Sequence, residues 1–221
     1  EPELGDMLRF WTMSIAEFAY AQARLQARHA RSPGGAAWQM LEASHTAAHY
    51  LAQARSGPLA SWVEGLDDAG DAHRIERHVQ ARWQRLVDEV AGWLPRRWQP
   101  ATRWFGALAA LPSGDTARHG QRAATEWLEG WRASLPRDAG DLALLRRPAE
   151  LLLPRLARRD GQRGTTVAAE RRELLKLFRQ HAGSAVAVFA YLAMAALDVE
   201  RLRGGLVVRA LFEPAIEAQE A

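Results

Sequence analysis

Residues 185–197 constrain this chain more than any other segment. They carry no charge and are apolar on every side, so as a helix they must be surrounded by other parts of the protein. The segment is also much shorter than the roughly 20 residues that a helix needs to cross a hydrocarbon layer. The sequence therefore predicts a buried core helix and no membrane span, with the Ser184 hydroxyl available to cap the first free N–H groups.

A second apolar patch, residues 206–212, follows the core segment after a short charged stretch. Gly204 and Gly205 lie between the two, and each glycine costs a helix about 1 kcal/mol relative to alanine. Two explanations stay open at this point. Either the helix bends at the glycines, or another part of the backbone packs closely against them.

The pattern along the rest of the chain is helical. Apolar residues recur every three or four positions, and no run alternates with a period of two, so the sequence predicts an all-α fold with helices of roughly 12–25 residues. Predicted helices cover residues 4–30, 36–55, 59–66, 72–94, 100–111 and 116–135, then several short helices separated by Pro136, Gly140, Pro148 and Pro154, and one from 165 to 181.

The composition is that of a globular protein. The 221 residues are 48% hydrophobic, which is ample for a core. We predict one all-helical domain over residues 1–221, with a subdivision near 112–115 as the alternative and a loop-like segment at 158–165. There is no cysteine. The sequence starts with acidic Glu1 and Glu3, whereas a signal peptide starts with basic residues, so a cytoplasmic protein is expected.

The charges argue against nucleic acid as a partner. The chain has 29 basic and 26 acidic residues, a net charge of only +3, and Lys176 is its sole lysine. The arginines alternate with acidic or apolar residues, whereas a nucleic-acid-binding protein concentrates positive charge in a stripe with exposed aromatic rings.

The best metal-binding candidate is the group Glu42, His45 and His49. On one helix these residues would project together, but one helix offers at most three ligands, and nothing in the spacing selects Glu17 or His78 as a further one. Glu76 and His78 point in different directions on a helix. A solvated polar ridge is the simpler interpretation, so we expect no metal and no cofactor.

Catalytic motifs are missing from the sequence. It has no Gly-x-Ser-x-Gly, no cysteine nucleophile, and no glycine-rich loop followed by Lys-Ser/Thr to hold phosphate, so an enzyme is not expected. The nine tryptophans mostly fit apolar helical stripes and are predicted to fill the core. Trp98 and Trp104, beside the Arg96-Arg97 corner, are predicted to be exposed, which makes a helical scaffold or regulatory protein with a Trp-rich binding surface the alternative function.

The first helix carries a basic ridge. Arg24, Arg28 and Arg31 are spaced by four and three residues, and Tyr20 lies one turn before Arg24 on the same side. Solvated surface charge is the ordinary explanation of such a ridge, and a contact surface for a partner is the alternative.

Two segments at opposite ends of the chain carry a family resemblance. The first is Phe18-Ala19-Tyr20-x-x-Ala23-Arg24-x-x-x-Arg28, and the second runs over residues 183–203 with Ala190-Tyr191-Leu192, Glu200 and Leu202-Arg203. Together they resemble the opening helix and the closing helix of the family of V-type and A-type rotary ATPase subunits designated C, or d in the eukaryotic enzyme. The chain looks like a shortened or divergent member.

The resemblance implies a fold and a function. Family members are longer and built from three related helical units arranged as a funnel, so a partial funnel is expected here. The implied role is a non-catalytic central-stalk adapter that couples the rotor shaft to the membrane ring of a proton- or sodium-translocating ATPase. Its partners would be shaft and ring subunits at the inner face of the membrane, met through the motif positions Tyr20, Arg24, Arg28, Tyr191, Glu200 and Arg203.

Overall fold

The computed structural model describes residues 17–67, 71–110, 117–156 and 163–220, and the side chains of 17–67, 71–108, 122–153 and 167–212. All regular structure in these ranges is helical and none is β-strand, which confirms the all-α prediction. The helices are α1 (residues 17–29), α2 (Gly35–Glu42), α3 (Ala47–Ser56), α4 (Ala60–Val63), α5 (Ala72–Gly92), α6 (Gln99–Gly106), α7 (Ala117–Ser134), α8 (Leu142–Leu156), α9 (Arg163–Gln180) and α10 (Ala185–Glu220). Short 3-10 turns, Arg96–Trp98 and Ala107–Ala110, flank α6.

The helix lengths spread more widely than the sequence predicts. Helix α4 has only 4 residues, whereas α10 has 36. The shortening of α4 follows from Gly65, whose φ of 81° lies in the left-handed region that glycine adopts without steric cost. The predicted helix 59–66 therefore ends early, while α5 and α7 match their predicted positions closely.

The predicted single helix at 36–55 is wrong, because the chain leaves the helix after Glu42 and forms a new one from Ala47. Thr46 adopts an extended conformation, and its Oγ1 accepts a hydrogen bond of 3.1 Å from the His49 N–H. This N-cap satisfies one free donor of the new helix. Residues 43–46 consequently form a connection between α2 and α3.

The short helices predicted around Pro148 are also wrong, because α8 is one helix that contains this proline. A proline inside a helix costs about 3 kcal/mol through its missing hydrogen bond and its ring clash. Pro148 is buried with Leu145, Ala149 and Leu152. Burial of this apolar face offsets the local cost of the proline.

Two other expectations concern segments that lie wholly or partly outside the described residues. The alternative subdivision near 112–115 lies wholly outside them. Of the loop-like segment 158–165, residues 158–162 are outside the described part, whereas 163–165 already belong to α9.

The chain divides into two compact units. Unit 1 consists of Glu1–Ala27 and Leu86–Leu197, and unit 2 of Arg28–Arg85 and Asp198–Ala221. Compactness alone does not establish independent folding, so the single domain stays a prediction.

Unit 1 is built around the first part of α10. Every residue from 185 to 197 is buried, which confirms the predicted core helix. The fully buried Phe189 ring lies with its centroid 5.1 Å from Trp131 and 5.2 Å from Phe105. Trp127 stacks on Trp131 at 6.0 Å. Aromatic burial thus dominates this core.

Unit 2 has a smaller core formed by α3, α4, α5 and the later part of α10. Its largest fully buried side chains are Trp83, Tyr50, Leu59 and Leu66. Trp83 belongs to the predicted apolar stripe of α5, whose spacing of three and four residues places it on the buried face. The predicted period of α5 is therefore confirmed.

Gly204 and Gly205 lie inside α10, and the helix continues through both. A Cβ atom at Gly205 would lie 2.6 Å from Tyr50 Cζ, whereas a Cβ at Gly204 would meet open space. The close neighbour of the glycine pair is therefore the ring of a side chain. Only at position 205 does this ring leave no room for a Cβ atom. Among the described residues, no helix is both long enough and apolar enough to span a membrane.

Candidate functional site

The opening motif forms an aromatic–arginine cluster in unit 1. The Arg24 guanidinium carbon lies 5.2 Å from the Tyr20 ring centroid and 5.4 Å from that of Trp93. Tyr20 comes from the preceding turn of α1, and Trp93 follows the end of α5. These distances are in the range of cation–π attraction, so the two rings hold the guanidinium in place. The sequence placed Tyr20 one turn before Arg24 on the same side of the helix, but Trp93 was missed because it is distant along the chain.

The rest of the predicted basic ridge is less regular. Arg28 is half-buried, and Arg31 lies in the turn beyond the end of α1. The ridge of three helical arginines is therefore wrong, because the helix ends before the third. Arg24 and Arg31 are both exposed, but of the two only Arg24 stacks on aromatic rings within the described part of the chain.

The closing motif separates into core and surface positions. Tyr191 is only 6% exposed, and its ring centroid lies 6.3 Å from that of Phe178. This tyrosine packs in unit 1 and cannot serve as a surface contact, which corrects its assignment to an interaction surface. Glu200 and Arg203 are half-buried in unit 2, and Arg203 Nη1 lies 3.3 Å from Glu76 Oε2.

Arg201 joins α10 to α2 within unit 2. Its guanidinium carbon lies 4.5 Å from the Trp38 ring centroid, and its Nε donates to Glu42 Oε1 at 2.8 Å, with Nη2 pairing to the same oxygen. Glu42 is thereby engaged by an arginine 159 residues further along the chain. Glu42 Oε1 therefore accepts a charge-assisted hydrogen bond from Arg201.

Arg209 makes the second connection, which the sequence did not indicate. Its guanidinium carbon lies 4.4 Å from the Tyr50 ring centroid, Nε donates to the Ser44 carbonyl at 2.8 Å, and Nη1 donates to the Gly205 carbonyl at 2.9 Å. Ser44 lies in the connection after α2, where carbonyls lack helical partners. Arg209 therefore caps the break between α2 and α3 from another helix.

Tyr50 is the most perturbed ionisable group of this network. Its burial raises the pKa of the phenol to about 12, because a buried phenolate loses its hydration, while nearby Arg209 acts in the opposite direction. Tyr50 is consequently a neutral ring that supports an arginine.

The group Glu42, His45 and His49 does not form the joint face that a single helix would have made. Glu42 ends α2, exposed His45 lies in the connection, and His49 lies in α3 with its Nε2 3.3 Å from Gln53 Nε2. No cluster of three or more potential metal ligands occurs within the described ranges. Glu76, which the sequence analysis considered together with His78, forms an ion pair with Arg203.

His78 occupies a half-buried position in unit 2. Burial lowers its pKa, and the nearby positive charges of Arg82, Arg85 and Arg74 act in the same direction, whereas a backbone hydrogen bond with Trp62 opposes them. Its Nε2 is buried and has no hydrogen-bond partner in the part of the chain that the structure describes. The surroundings of His78 therefore favour the neutral imidazole over the charged one.

Trp98 and Trp104 differ in exposure. Trp98 is 6% exposed and packs edge-on against Phe18 at 5.7 Å, so the prediction that it lies at an interface is wrong. The 3-10 turn Arg96–Trp98 turns the indole inward. Trp104 is 42% exposed as predicted, and its Nε1 donates to the Trp127 carbonyl at 3.0 Å.

A cleft of about 360 Å³ lies within unit 1, with Phe18 and Trp98 among its apolar lining residues and Arg97 at its polar side. Arg97 is already paired, at 2.5 Å with Glu17 and at 3.3 Å with Asp138. The cleft thus has the volume of a small-ligand pocket, but its arginine is occupied by neighbouring carboxylates.

The later part of α10, in unit 2, carries three exposed apolar side chains. Val208, Leu211 and Phe212 are 50%, 59% and 61% exposed, and their spacing places them on one face. Clustered exposed apolar groups are typical of contact sites.

Comparison with known proteins gives no matching family model, and no curated protein or solved structure shows significant similarity to the chain.

Proposed function

We propose that the chain is a non-catalytic central-stalk adapter of a V-type or A-type rotary ATPase, which couples the rotor shaft to the membrane ring. In this role it binds no nucleotide and meets the membrane through its partner subunits. The two terminal motifs are the basis of the proposal, since they combine an aromatic–arginine opening helix with a closing apolar helix that ends in charged residues.

The structural observation that carries the proposal concerns residues 201–212 of α10. Arg201, Arg203 and Arg209 fix this part of the helix to Glu42, to Glu76 and to the Ser44 carbonyl. The same segment carries the exposed apolar strip formed by Val208, Leu211 and Phe212. An adapter that transmits torque needs a contact face held rigidly by its own body, and directed arginine contacts supply that rigidity.

The test is recovery of the ATPase subunits. The tagged chain, expressed in the organism that encodes it, is purified from membranes in a mild detergent, and the associated proteins are identified by mass spectrometry. We expect shaft and ring subunits with the unaltered chain, and loss of ring subunits when Leu211 and Phe212 are both replaced by Asp. Met40→Asp is the matched control, since Met40 is 61% exposed but lies on α2.

Two outcomes would count against the proposal. Recovery of neither shaft nor ring subunits by the unaltered chain would contradict the adapter role. Equal recovery of ring subunits by the double variant and by Met40→Asp would show that the apolar strip is not the ring-binding face. Unchanged far-ultraviolet circular dichroism confirms in each case that the variant is folded.

A scaffold that binds a partner through tryptophan is the second candidate, and exposed Trp104 favours it. The indole rests on α7, where a Cβ at Gly130 would lie 2.8 Å from Trp104 Cε2. A partner lost on Trp104→Ala, but retained when Leu211 and Phe212 are replaced, would support the scaffold over the adapter.

A further inference from the structure

We propose that Tyr20, Arg24 and Trp93 form a receptor for a carboxylate side chain on an acidic segment of a partner protein. The inference deepens the adapter role by naming the chemistry of one partner surface. It rests on the proposed function in one respect, namely that the partner is a protein. Its basis is the geometry, exposure and charge of the three side chains.

The first step is that Arg24 is held in position before any partner arrives. Its guanidinium carbon lies 5.2 Å from the ring centroid of Tyr20 on α1 and 5.4 Å from that of Trp93 in the turn after α5. A free arginine side chain loses much rotamer freedom on binding, and an arginine already stacked on rings loses less. The cluster is therefore preorganised for recognition.

The second step is that no ion pair or hydrogen bond joins this guanidinium to a carboxylate among the described residues, and the rings on which it stacks are Tyr20 and Trp93. Arg97, in the same unit, shows the alternative, because Glu17 and Asp138 both pair with it. The guanidinium fork matches a carboxylate in shape and charge and can bind it through two N–H groups. Arg24 has that fork available.

The third step is the surface in which the charge lies. Tyr20 is 56% exposed, Arg24 is exposed and Trp93 is half-buried. Tyrosine, tryptophan and arginine are the residues most enriched at binding hot spots, where rings exclude water around a charge–charge contact. A single arginine flanked by rings suits one carboxylate beside an apolar group, whereas a nucleic acid requires a row of cations.

The test uses fluorescein-labelled octaglutamate, with octaglutamine and an octathymidylate as comparison probes, in anisotropy titrations of the full chain at low ionic strength. We expect octaglutamate to bind best. Arg24→Gln should weaken its binding about tenfold or more, since a charge-assisted hydrogen-bonded pair is lost. Arg31→Gln removes the same charge from an exposed arginine that stacks on no ring of the described residues, and it should weaken binding about twofold or less.

Tyr20→Leu supplies a second variant that leaves the charge in place. It should weaken octaglutamate binding about threefold, because one of the two rings that hold the guanidinium is lost. Equal losses for Arg24→Gln and Arg31→Gln would indicate diffuse attraction and overturn the inference. No binding of octaglutamate, or tighter binding of octathymidylate, would overturn it as well.

The membrane purification separates this inference from the adapter role. If the unaltered chain recovers shaft and ring subunits, and octaglutamate binding does not depend on Arg24, the adapter role stands and the receptor is refuted. If no ATPase component is recovered but octaglutamate binding depends on Arg24, the receptor stands and the adapter role is refuted.

Discussion

Units 1 and 2 are both helical, but different chemistry holds each of them together. In unit 1 the early part of α10 places Phe189 among Phe105 and Trp131, and apolar area dominates. In unit 2 the later part of α10 is fixed by Arg201 and Arg209, each lying on a ring and donating to α2 or to the connection that follows it. Apolar burial is non-directional, whereas the hydrogen bonds of a guanidinium fix the orientation of the groups that they join. The same helix therefore supplies buried apolar side chains to unit 1 and oriented arginine contacts to unit 2.

The largest effect is expected from emptying the aromatic core of unit 1. Phe189→Ala should lower the free energy of unfolding by about 3–5 kcal/mol, because it removes buried area and leaves a cavity. Urea unfolding followed by circular dichroism measures the change. Phe212→Ala, at a ring that is 61% exposed, should stay within about 0.5 kcal/mol. Similar losses for the two variants would contradict the assigned core.

The glycine pair of α10 sharpens the comparison in unit 2. Gly205→Ala should destabilise the protein by about 1–3 kcal/mol, because the new methyl group collides with the buried Tyr50 ring. Gly204→Ala should instead stabilise it by about 0.5–1 kcal/mol, since its methyl group meets open space and alanine favours a helix. Effects of the same sign in urea unfolding would show that the ring does not occupy this position.

The arginine contacts of unit 2 should differ in strength. Arg209→Met is expected to cost about 1–3 kcal/mol, because it leaves the carbonyl of buried Ser44 without its donor. Arg201→Met should cost about 1 kcal/mol or less, since its ion pair with Glu42 is largely exposed. Thermal unfolding of both variants measures the order, and a larger loss for Arg201→Met would reverse the assigned importance.

The smallest effect is a pH dependence in unit 2. The folded protein holds the pKa of His78 below its ordinary value near 6.5, so below that pH the unfolded chain binds more protons than the folded one. His78 should therefore lower stability as pH falls from about 6.5 towards its folded pKa, and have no such effect above. Urea midpoints across this range should change less in His78→Gln than in the unaltered protein. An identical pH dependence in both would exclude His78 as the cause.

Much of the fold was predictable from residues close together in the sequence. The uncharged segment 185–197 could only be a buried helix, and the period of α5 identified its buried face. Residues 30–34 separate α1 from α2 close to the predicted gap between residues 30 and 36. These features depend on local periodicity and on glycine or proline at fixed places, which act within a few residues.

The candidate site was only half predictable for the same reason. Stacking of Tyr20 on Arg24 follows from their spacing on one helix, but the second ring, Trp93, reaches Arg24 from a segment about 70 residues later, at the end of α5. No local pattern in the sequence marks that meeting. Trp98 was predicted to be exposed because its neighbours are charged, although contact with Phe18 buries it.

The sequence by itself determined that the chain is helical and which helix lies at its centre, because apolar periodicity requires burial whatever the partner. Tertiary structure alone decided that α2 ends at Glu42, that Arg209 caps the connection after it, and that Pro148 stays inside α8. Each of these outcomes sets a local cost of about a kcal/mol or more against burial by, or contact with, residues that meet only through the fold. Since those residues come together only in the folded chain, their contribution cannot be obtained from local sequence.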